Sequence, residues 1–81
     1  MEKWVEGSDR LIKTFEFKSF PAAIAFMVRA SFKCEKMNHH PEWKNVYNKI
    51  FVELTTHDTE SVTHLDHTLA AFLDKLYVDM G

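Results

Sequence analysis

The sequence has little of several features that would define its class at once. It contains one cysteine, Cys34, which excludes an internal disulfide and fits a reducing compartment. It contains only two Gly and two Pro, a scarcity that argues against disorder. Positive charge is not in excess, because the formal net charge is −2, and no basic run indicates a nucleic-acid-binding surface.

The chain also lacks a long apolar run and a signal pattern. No stretch approaches the ~20 apolar residues that cross a membrane, and Met1-Glu2-Lys3-Trp4 does not open a signal peptide. The 81 residues are expected to form a single domain, 1–81. We therefore expect a soluble, cytoplasmic protein with no membrane partner, present also in the nucleus if the source is eukaryotic.

What the chain does have is apolar and aromatic residues. Apolar residues make up 46% of the sequence and seven residues are Phe, which is enough for a core. A domain of this size buries only about 60% of the surface that its unfolded chain exposes, so oligomerisation would stabilise it. A homodimer and a homotetramer are both open.

Apolar alternation predicts two β-hairpins. The first would pair the strand 4–6 with the strand 10–17, and the second would lie within 45–57, with its turn at Asn48-Lys49. Each hairpin precedes a segment with helical spacing. The order strand, strand, helix, repeated once, predicts an α+β two-layer sandwich: a four-stranded, largely antiparallel sheet with two helices packed on one face.

Both predicted helices have N-terminal signals. Ser19 is a plausible N-cap, and Pro21 is tolerated in the first turn, where backbone N–H groups have no intrahelical partner. Thr63 can cap the last helix, with Asp66 three residues later in the reciprocal position of a capping box.

The first predicted helix carries two apolar stripes. One stripe is expected to pack on the sheet and holds Phe20, Ile24, Met27, Val28, Ser31 and Cys34. The other holds Ala22, Phe26, Ala30 and Lys33. Because one sheet needs only one stripe, Phe26 between small alanines could pack against the same helix of another subunit. The alternative is that Phe26 covers the edge of its own core.

Polar residues of unusual type are concentrated between the first helix and the second hairpin. The segment reads Glu35-Lys36-Met37-Asn38-His39-His40-Pro41-Glu42-Trp43, and Thr55-Thr56-His57-Asp58 follows the second hairpin. A histidine with its unperturbed pKa of roughly 6.5 both gives and takes a proton near neutrality. Three imidazoles near one aromatic surface therefore indicate proton transfer on a flat, polar ligand.

Together these segments resemble the pterin-4a-carbinolamine dehydratase family. The resemblance rests on the nonapeptide from Glu35 to Trp43, on Asn45-Val46-Tyr47-Asn48-Lys49, on Thr56-His57-Asp58, and on Asp66 nine residues after His57. It implies that 4a-hydroxytetrahydrobiopterin is dehydrated to the quinonoid dihydropterin, the recycling step after an aromatic amino acid hydroxylase. It implies a hydro-lyase that uses histidine acid–base catalysis and needs neither metal nor organic cofactor.

The resemblance also implies roles for single residues. His39 and His57 would be the acid–base pair on the two faces of the pterin, while His40 would orient substrate or water and share in the proton relay. Glu35 would hydrogen-bond an imidazole and fix its tautomer. Asp66 would support His57, or would serve only as the capping partner of Thr63. The residues expected to bind the pterin are Pro41, Trp43, Thr56 and Asp58, with core packing as the alternative for Trp43.

The same residues allow three alternatives to an enzyme. A metal site built from His39, His40, His57 and Glu35 is disfavoured, because neighbouring histidines point differently and the chain lacks His-x-x-x-His or paired-Cys spacing. The histidines could also merely satisfy loop hydrogen bonds. The third alternative is a binding module or transcriptional coactivator, since the animal member of the resembled family holds a helical dimerisation segment of a homeodomain transcription factor. The face of Ala22, Phe26 and Ala30 would suit such a helix-in-groove contact.

Overall fold

Two strands and one helix alternate twice along the chain. The computed structural model describes residues 3–81, so Met1 and Glu2 of the expected single domain lie outside the described residues. Its elements are β1 (Val5–Glu6), β2 (Leu11–Glu16), α1 (Phe20–Met37), β3 (Glu42–Val46), β4 (Lys49–Leu54) and α2 (His64–Met80). The strands form one antiparallel sheet in the order β1-β2-β4-β3. The predicted α+β architecture is confirmed.

Alternation along β2 and β4 determines which face of the sheet is covered. Leu11 pairs with Leu54 and Phe15 with Ile50, and all four side chains are buried, whereas Ile12 between them is exposed. These inward residues share one core cluster with residues of both helices. The helices therefore cover the same face of the sheet.

The second hairpin begins earlier and turns one residue earlier than predicted. β3 starts at Glu42, and Val46 pairs with Lys49, so Tyr47 and Asn48 form the turn. The side-chain amide of Asn45 donates to the carbonyls of Tyr47 and Lys49, at 3.0 and 2.9 Å. These two hydrogen bonds stabilise the turn, in which Tyr47 adopts the left-handed conformation with a φ of 53°. Apolar alternation contains no information about such a contact.

Helix α1 begins as predicted but presents a different face to the sheet. Ser19 caps it by accepting a hydrogen bond from the backbone N–H of Ala22. The residues of α1 buried against the sheet and α2 are Ala23, Phe26, Ala30 and Cys34. The large apolar residues of α1 left exposed are Phe20, Ile24, Val28 and Phe32. Of the stripe predicted to face the sheet, Cys34 is buried and Met27 is partly buried.

The prediction that Ala22, Phe26 and Ala30 form an oligomer or partner face is therefore wrong for Phe26 and Ala30. Phe26 and Ala30 have no exposed surface, and the Phe26 ring lies 5.1 Å from that of Phe15, while Ala22 is half-buried. Both stripes have the same spacing, so periodicity cannot choose between them. The small alanines allow α1 to approach the sheet closely, and this packing decides the orientation.

Helix α2 begins with the predicted capping box. The Thr63 hydroxyl accepts from the backbone of the first turn, and the Asp66 side chain accepts from the backbone N–H of Thr63. Leu69 and Leu73 bury the apolar face of α2 in the core. Neither helix within residues 3–81 is long and apolar enough to cross a membrane.

Candidate active site

The end of α1 places the paired histidines. Asn38 ends the helix in the left-handed conformation, with φ 52° and ψ 44°, which Asn adopts more readily than most residues. The backbone N–H of His39 then bonds the carbonyl of Cys34 at 3.0 Å, so the chain folds back over the last turn. As a result His39 is buried, at 8% exposure, whereas His40 points into solvent.

His39 is paired with Asp66 of α2. Its Nε2 lies 2.6 Å from Oδ1 of Asp66, and the Asp66 side chain has no exposed surface. Asp66 was expected to support His57; the structure pairs it with His39 instead. The packing of α1 against α2 brings the end of one helix to the start of the other, a relationship that local sequence does not encode.

The other carboxylate oxygen of Asp66 has different partners. Oδ2 accepts from the backbone N–H of Thr63 at 2.9 Å and from the Thr56 hydroxyl at 2.8 Å. The Thr56 and Thr63 hydroxyl oxygens are in turn 2.7 Å apart. The capping role of Asp66 and its contact with a histidine are therefore not alternatives, since they use different oxygens. We call Asp66, His39, Thr56 and Thr63 the Asp66 network.

The network keeps Asp66 charged and determines the His39 tautomer. Burial alone would raise the pKa of Asp66, but hydrogen bonds from the Thr63 backbone, His39 and Thr56 outweigh it and lower that pKa below its usual value. Because an ionised carboxylate only accepts hydrogen bonds, the proton in the 2.6 Å contact belongs to Nε2 of His39.

The second ring nitrogen of His39 is left available. Nδ1 makes no hydrogen bond within the described part of the chain, and no buried side-chain nitrogen or oxygen of residues 3–81 lacks a partner. Nδ1 therefore reaches solvent. In the neutral ring it carries the lone pair that can take up a proton.

The other two candidate histidines are exposed. Nε2 of His40 lies 3.3 Å from Oε1 of Glu35, so the imidazole that Glu35 approaches is His40, and both side chains are more than half exposed. His57 opens a turn that the bridge between Thr56 and Ser61 closes. It directly follows Thr56 of the Asp66 network, so a buried and an exposed imidazole lie on neighbouring parts of the fold.

The expected pterin-binding residues differ in their surroundings. Trp43 is half-buried and packs against the core cluster, Pro41 is half-buried, and Asp58 is exposed. The Thr56 hydroxyl is bound within the Asp66 network. No three His, Cys, Asp or Glu side chains in residues 3–81 are grouped so that they could hold a metal ion.

Sequence reasoning missed Thr63 as a member of the site and missed the partner of His39. The capping box was the only local signal, because it placed Thr63 and Asp66 together at the start of α2. That signal indicates a helix terminus and contains no information about a histidine 27 positions away.

These features define a class: a small α+β protein with a buried imidazole–carboxylate pair and, among its exposed histidines, the candidates His40 and His57. A sequence model described as "Pterin 4 alpha carbinolamine dehydratase" matches residues 1–76. The chain belongs to that family.

Relatives support this membership. A protein of Sinorhizobium medicae (strain WSM419) is 53% identical over 77 residues, which are 93% of this chain and 73% of the relative. One of Rhizobium meliloti (strain 1021) is 52% identical over 77 residues, 93% of this chain and 74% of the relative. Both carry the name pterin-4-alpha-carbinolamine dehydratase by provisional assignment.

Two solved structures share the fold. One is a transcriptional coactivator/pterin dehydratase from Brucella melitensis, with a TM-score of 0.86 and 39% identity over 93% of this chain and 80% of that chain. The other is a pterin dehydratase-like protein identified as a RuBisCO assembly factor in the alpha-carboxysome, with a TM-score of 0.80 over 94% of this chain and 90% of that chain. At 23% identity, this second likeness concerns the fold alone.

Proposed function

We propose that this chain is a hydro-lyase that dehydrates a 4a-hydroxytetrahydropterin, such as 4a-hydroxytetrahydrobiopterin, to the quinonoid dihydropterin. The observation that carries the proposal is the buried contact of His39 with Asp66, which leaves one ring nitrogen of His39 accessible beside the segment that holds His57. Family membership supplies the substrate class. A reducing cytoplasm suits the free thiol of Cys34.

The reaction needs two proton transfers and no change of oxidation state. An acid protonates the departing 4a oxygen, the carbon–oxygen bond breaks, and water leaves. A base removes the proton of the adjacent ring nitrogen, and the electron pair of that N–H bond completes the new carbon–nitrogen double bond. Each positioned acid or base is typically worth 10²–10⁴-fold in rate.

The surroundings of the three histidines suit different parts of this reaction. His39 is held by Asp66 and is the better oriented group, so we assign it one proton transfer through Nδ1. His57, exposed at the start of its turn, would perform the other transfer. His40 is exposed and only loosely held by Glu35, which suits a group that orients substrate or water.

The test is the ultraviolet decay of a 4a-hydroxytetrahydropterin generated in situ, with and without the protein. We expect wild-type protein to accelerate the decay, and His57→Ala and His39→Ala to lose about 10²-fold of that acceleration. The matched control is His67→Ala, an exposed histidine of α2 outside the site, which should retain wild-type rates. A folded wild-type protein without any acceleration would contradict the proposal, and full activity of His57→Ala would contradict the assignment of His57.

A second function is favoured by the exposed surface of α1. Phe20, Ile24, Val28 and Phe32 recur every four residues and are 46%, 37%, 52% and 71% exposed; we call them the α1 ridge. An i, i+4 ridge can pack against the same ridge of a second copy about a two-fold axis. We propose that the α1 ridge forms a homo-oligomer contact, and that any coactivator partner would bind this ridge instead of the face of Phe26.

A further inference from the structure

The hydrogen-bond donors of the Asp66 network can be assigned one by one. Because Oδ2 of Asp66 only accepts, the Thr56 hydroxyl must donate in the 2.8 Å contact between them. The Thr56 oxygen then accepts the Thr63 hydroxyl proton at 2.7 Å. The Thr63 oxygen in turn accepts from the backbone N–H of Leu65 at 3.3 Å.

The result is a chain of hydrogen bonds that runs in one direction. It starts at the backbone of the first turn of α2, passes through the hydroxyls of Thr63 and Thr56, and ends on Oδ2 of Asp66. The opposite oxygen, Oδ1, faces Nε2 of His39. Each hydroxyl proton is used once, so if Thr56 donated to Thr63 instead, its oxygen would face the acceptor Oδ2 with no proton between them.

We propose that Thr56 is a positioning residue for His39: its hydroxyl, oriented by Thr63, holds the Asp66 carboxylate so that Oδ1 keeps the His39 ring in the Nε2–H form with Nδ1 toward solvent. This proposal differs from the role expected for Thr56, a polar contact to the pterin. The only proton of the hydroxyl is already donated to Asp66, so Thr56 has none to donate to a ligand.

The backbone contact to Thr63 alone would not fix the orientation of the Asp66 carboxylate. The capping N–H of Thr63 fixes Oδ2 at one point, 2.9 Å away, but a single hydrogen bond leaves the carboxylate free to rotate about it. The Thr56 hydroxyl supplies a second fixed point on the same oxygen, from the strand side of the site. Two donors on Oδ2 and one on Oδ1 together define the plane of the carboxylate.

The direct test is the tautomer of His39, which requires no activity. Two-bond ¹H–¹⁵N correlation spectra of ¹⁵N-histidine-labelled protein distinguish protonated Nδ1 from protonated Nε2. We expect His39 as the Nε2–H form in wild type, a mixture of forms in Thr56→Val, and the wild-type spectrum in Thr56→Ser, which retains the hydroxyl. Thr68→Val, at an exposed position of α2, is the matched control and should leave the His39 signals unchanged.

The outcomes that would overturn the proposal are equally direct. Unchanged His39 signals in folded Thr56→Val would show that the hydroxyl does not position the ring. If Thr56→Val does not fold, Thr56→Ala replaces it. The wild-type spectrum alone is also decisive, because a His39 in the Nδ1–H form contradicts the network without any substitution.

The kinetic readout rests on the proposed dehydratase function and separates positioning from substrate contact. We expect Thr56→Val to lower kcat roughly tenfold with KM unchanged, and Thr56→Ser to restore kcat. A raised KM with unchanged kcat would make Thr56 a substrate contact and overturn the positioning role. If wild-type protein shows no dehydratase activity, the proposed function fails, while the histidine spectra still decide the role of Thr56.

Discussion

Nε2 of His39 lies 2.6 Å from Oδ1 of Asp66, although 27 positions separate the two residues in sequence. The contact joins the end of α1 to the first turn of α2, so the same carboxylate caps a helix and holds an imidazole. Stability and the proposed chemistry therefore depend on one group. A substitution at Asp66 should affect both, and the two effects can be separated by pH and by kinetics.

Asp66 should contribute to stability in a pH-dependent way. Its pKa is lower in the folded protein than in the unfolded chain, where the pKa of an Asp is about 3.9. The stabilisation is thus complete above the unfolded-state pKa and is lost as the pH falls through the folded-state pKa. We expect the free energy of unfolding of the wild type to drop below about pH 4.

Asp66→Asn provides the comparison, because its amide does not titrate. Urea unfolding of this variant should show a smaller loss of stability over the same acid range than the wild type, starting from a lower value near neutrality. Asp58→Asn, at an exposed position, should retain the wild-type pH dependence. Parallel pH profiles for wild type and Asp66→Asn would show that the Asp66 carboxyl is not the group responsible.

A second buried charge lies away from the site, at Lys13 on the inward face of β2. Its side chain is 4% exposed, and its Nζ lies 2.7 Å from Oδ1 of Asp74 and 4.9 Å from the centre of the Phe15 ring. Asp74→Ala should lower the free energy of unfolding by about 3 kcal/mol, because it leaves the Lys13 charge buried without its partner. Lys13→Met should cost less than Asp74→Ala, because the Asp74 carboxylate that it leaves behind is one-third exposed and still accepts a hydrogen bond from the indole N–H of Trp4.

The control for the buried Lys13–Asp74 pair is an exposed ion pair. Lys75 and Asp79 form an ion pair at 3.3 Å on the surface of α2, and Asp79→Ala should change stability by less than about 1 kcal/mol. All three variants can be compared by urea unfolding at one pH. Equal effects of Asp74→Ala and Asp79→Ala would mean that the buried Lys13 charge finds another partner.

If the α1 ridge is a homo-oligomer contact, a charged residue placed on it should weaken the oligomer. Phe32 is 71% exposed, so Phe32→Asp should leave the fold intact and shift the protein toward the monomer in sedimentation velocity. Phe26→Asp should instead prevent folding, because Phe26 has no exposed surface in the single chain. Arg29→Asp, exposed on α1 but outside the ridge, is the control. A wild-type protein that is already monomeric, or an oligomer unaffected by Phe32→Asp, would contradict the proposed interface.

Cys34 should behave as a structural thiol. It is buried in the core, and this burial raises its pKa, so little thiolate forms near neutrality. We expect alkylation of Cys34 to be slow in the native protein and to become fast in urea, which can be followed by mass spectrometry. Rapid labelling without denaturant would indicate that this end of α1 opens readily.

Several features of the fold were predictable because they depend on neighbours in sequence. Alternation predicted a strand over 10–17, where β2 spans Leu11–Glu16, and the N-cap signals at Ser19 and Thr63 predicted where both helices begin. Such signals act over one or two turns of chain. The hairpin turn was misplaced by one residue because the side chain of Asn45, and not apolar alternation, selects it.

The sequence by itself determined the order of the elements, the helix starts and the list of candidate acid–base residues, because periodicity, capping and residue chemistry are local properties. Only the tertiary structure decided which stripe of α1 is buried and which histidine Asp66 contacts. Both predicted stripes repeat every three or four residues, and the buried face takes Phe26 and Ala30 from one and Cys34 from the other. The close approach permitted by Ala23 and Ala30 favours this orientation. The partner of Asp66 follows from how α1 packs on α2, a long-range contact that no local pattern specifies.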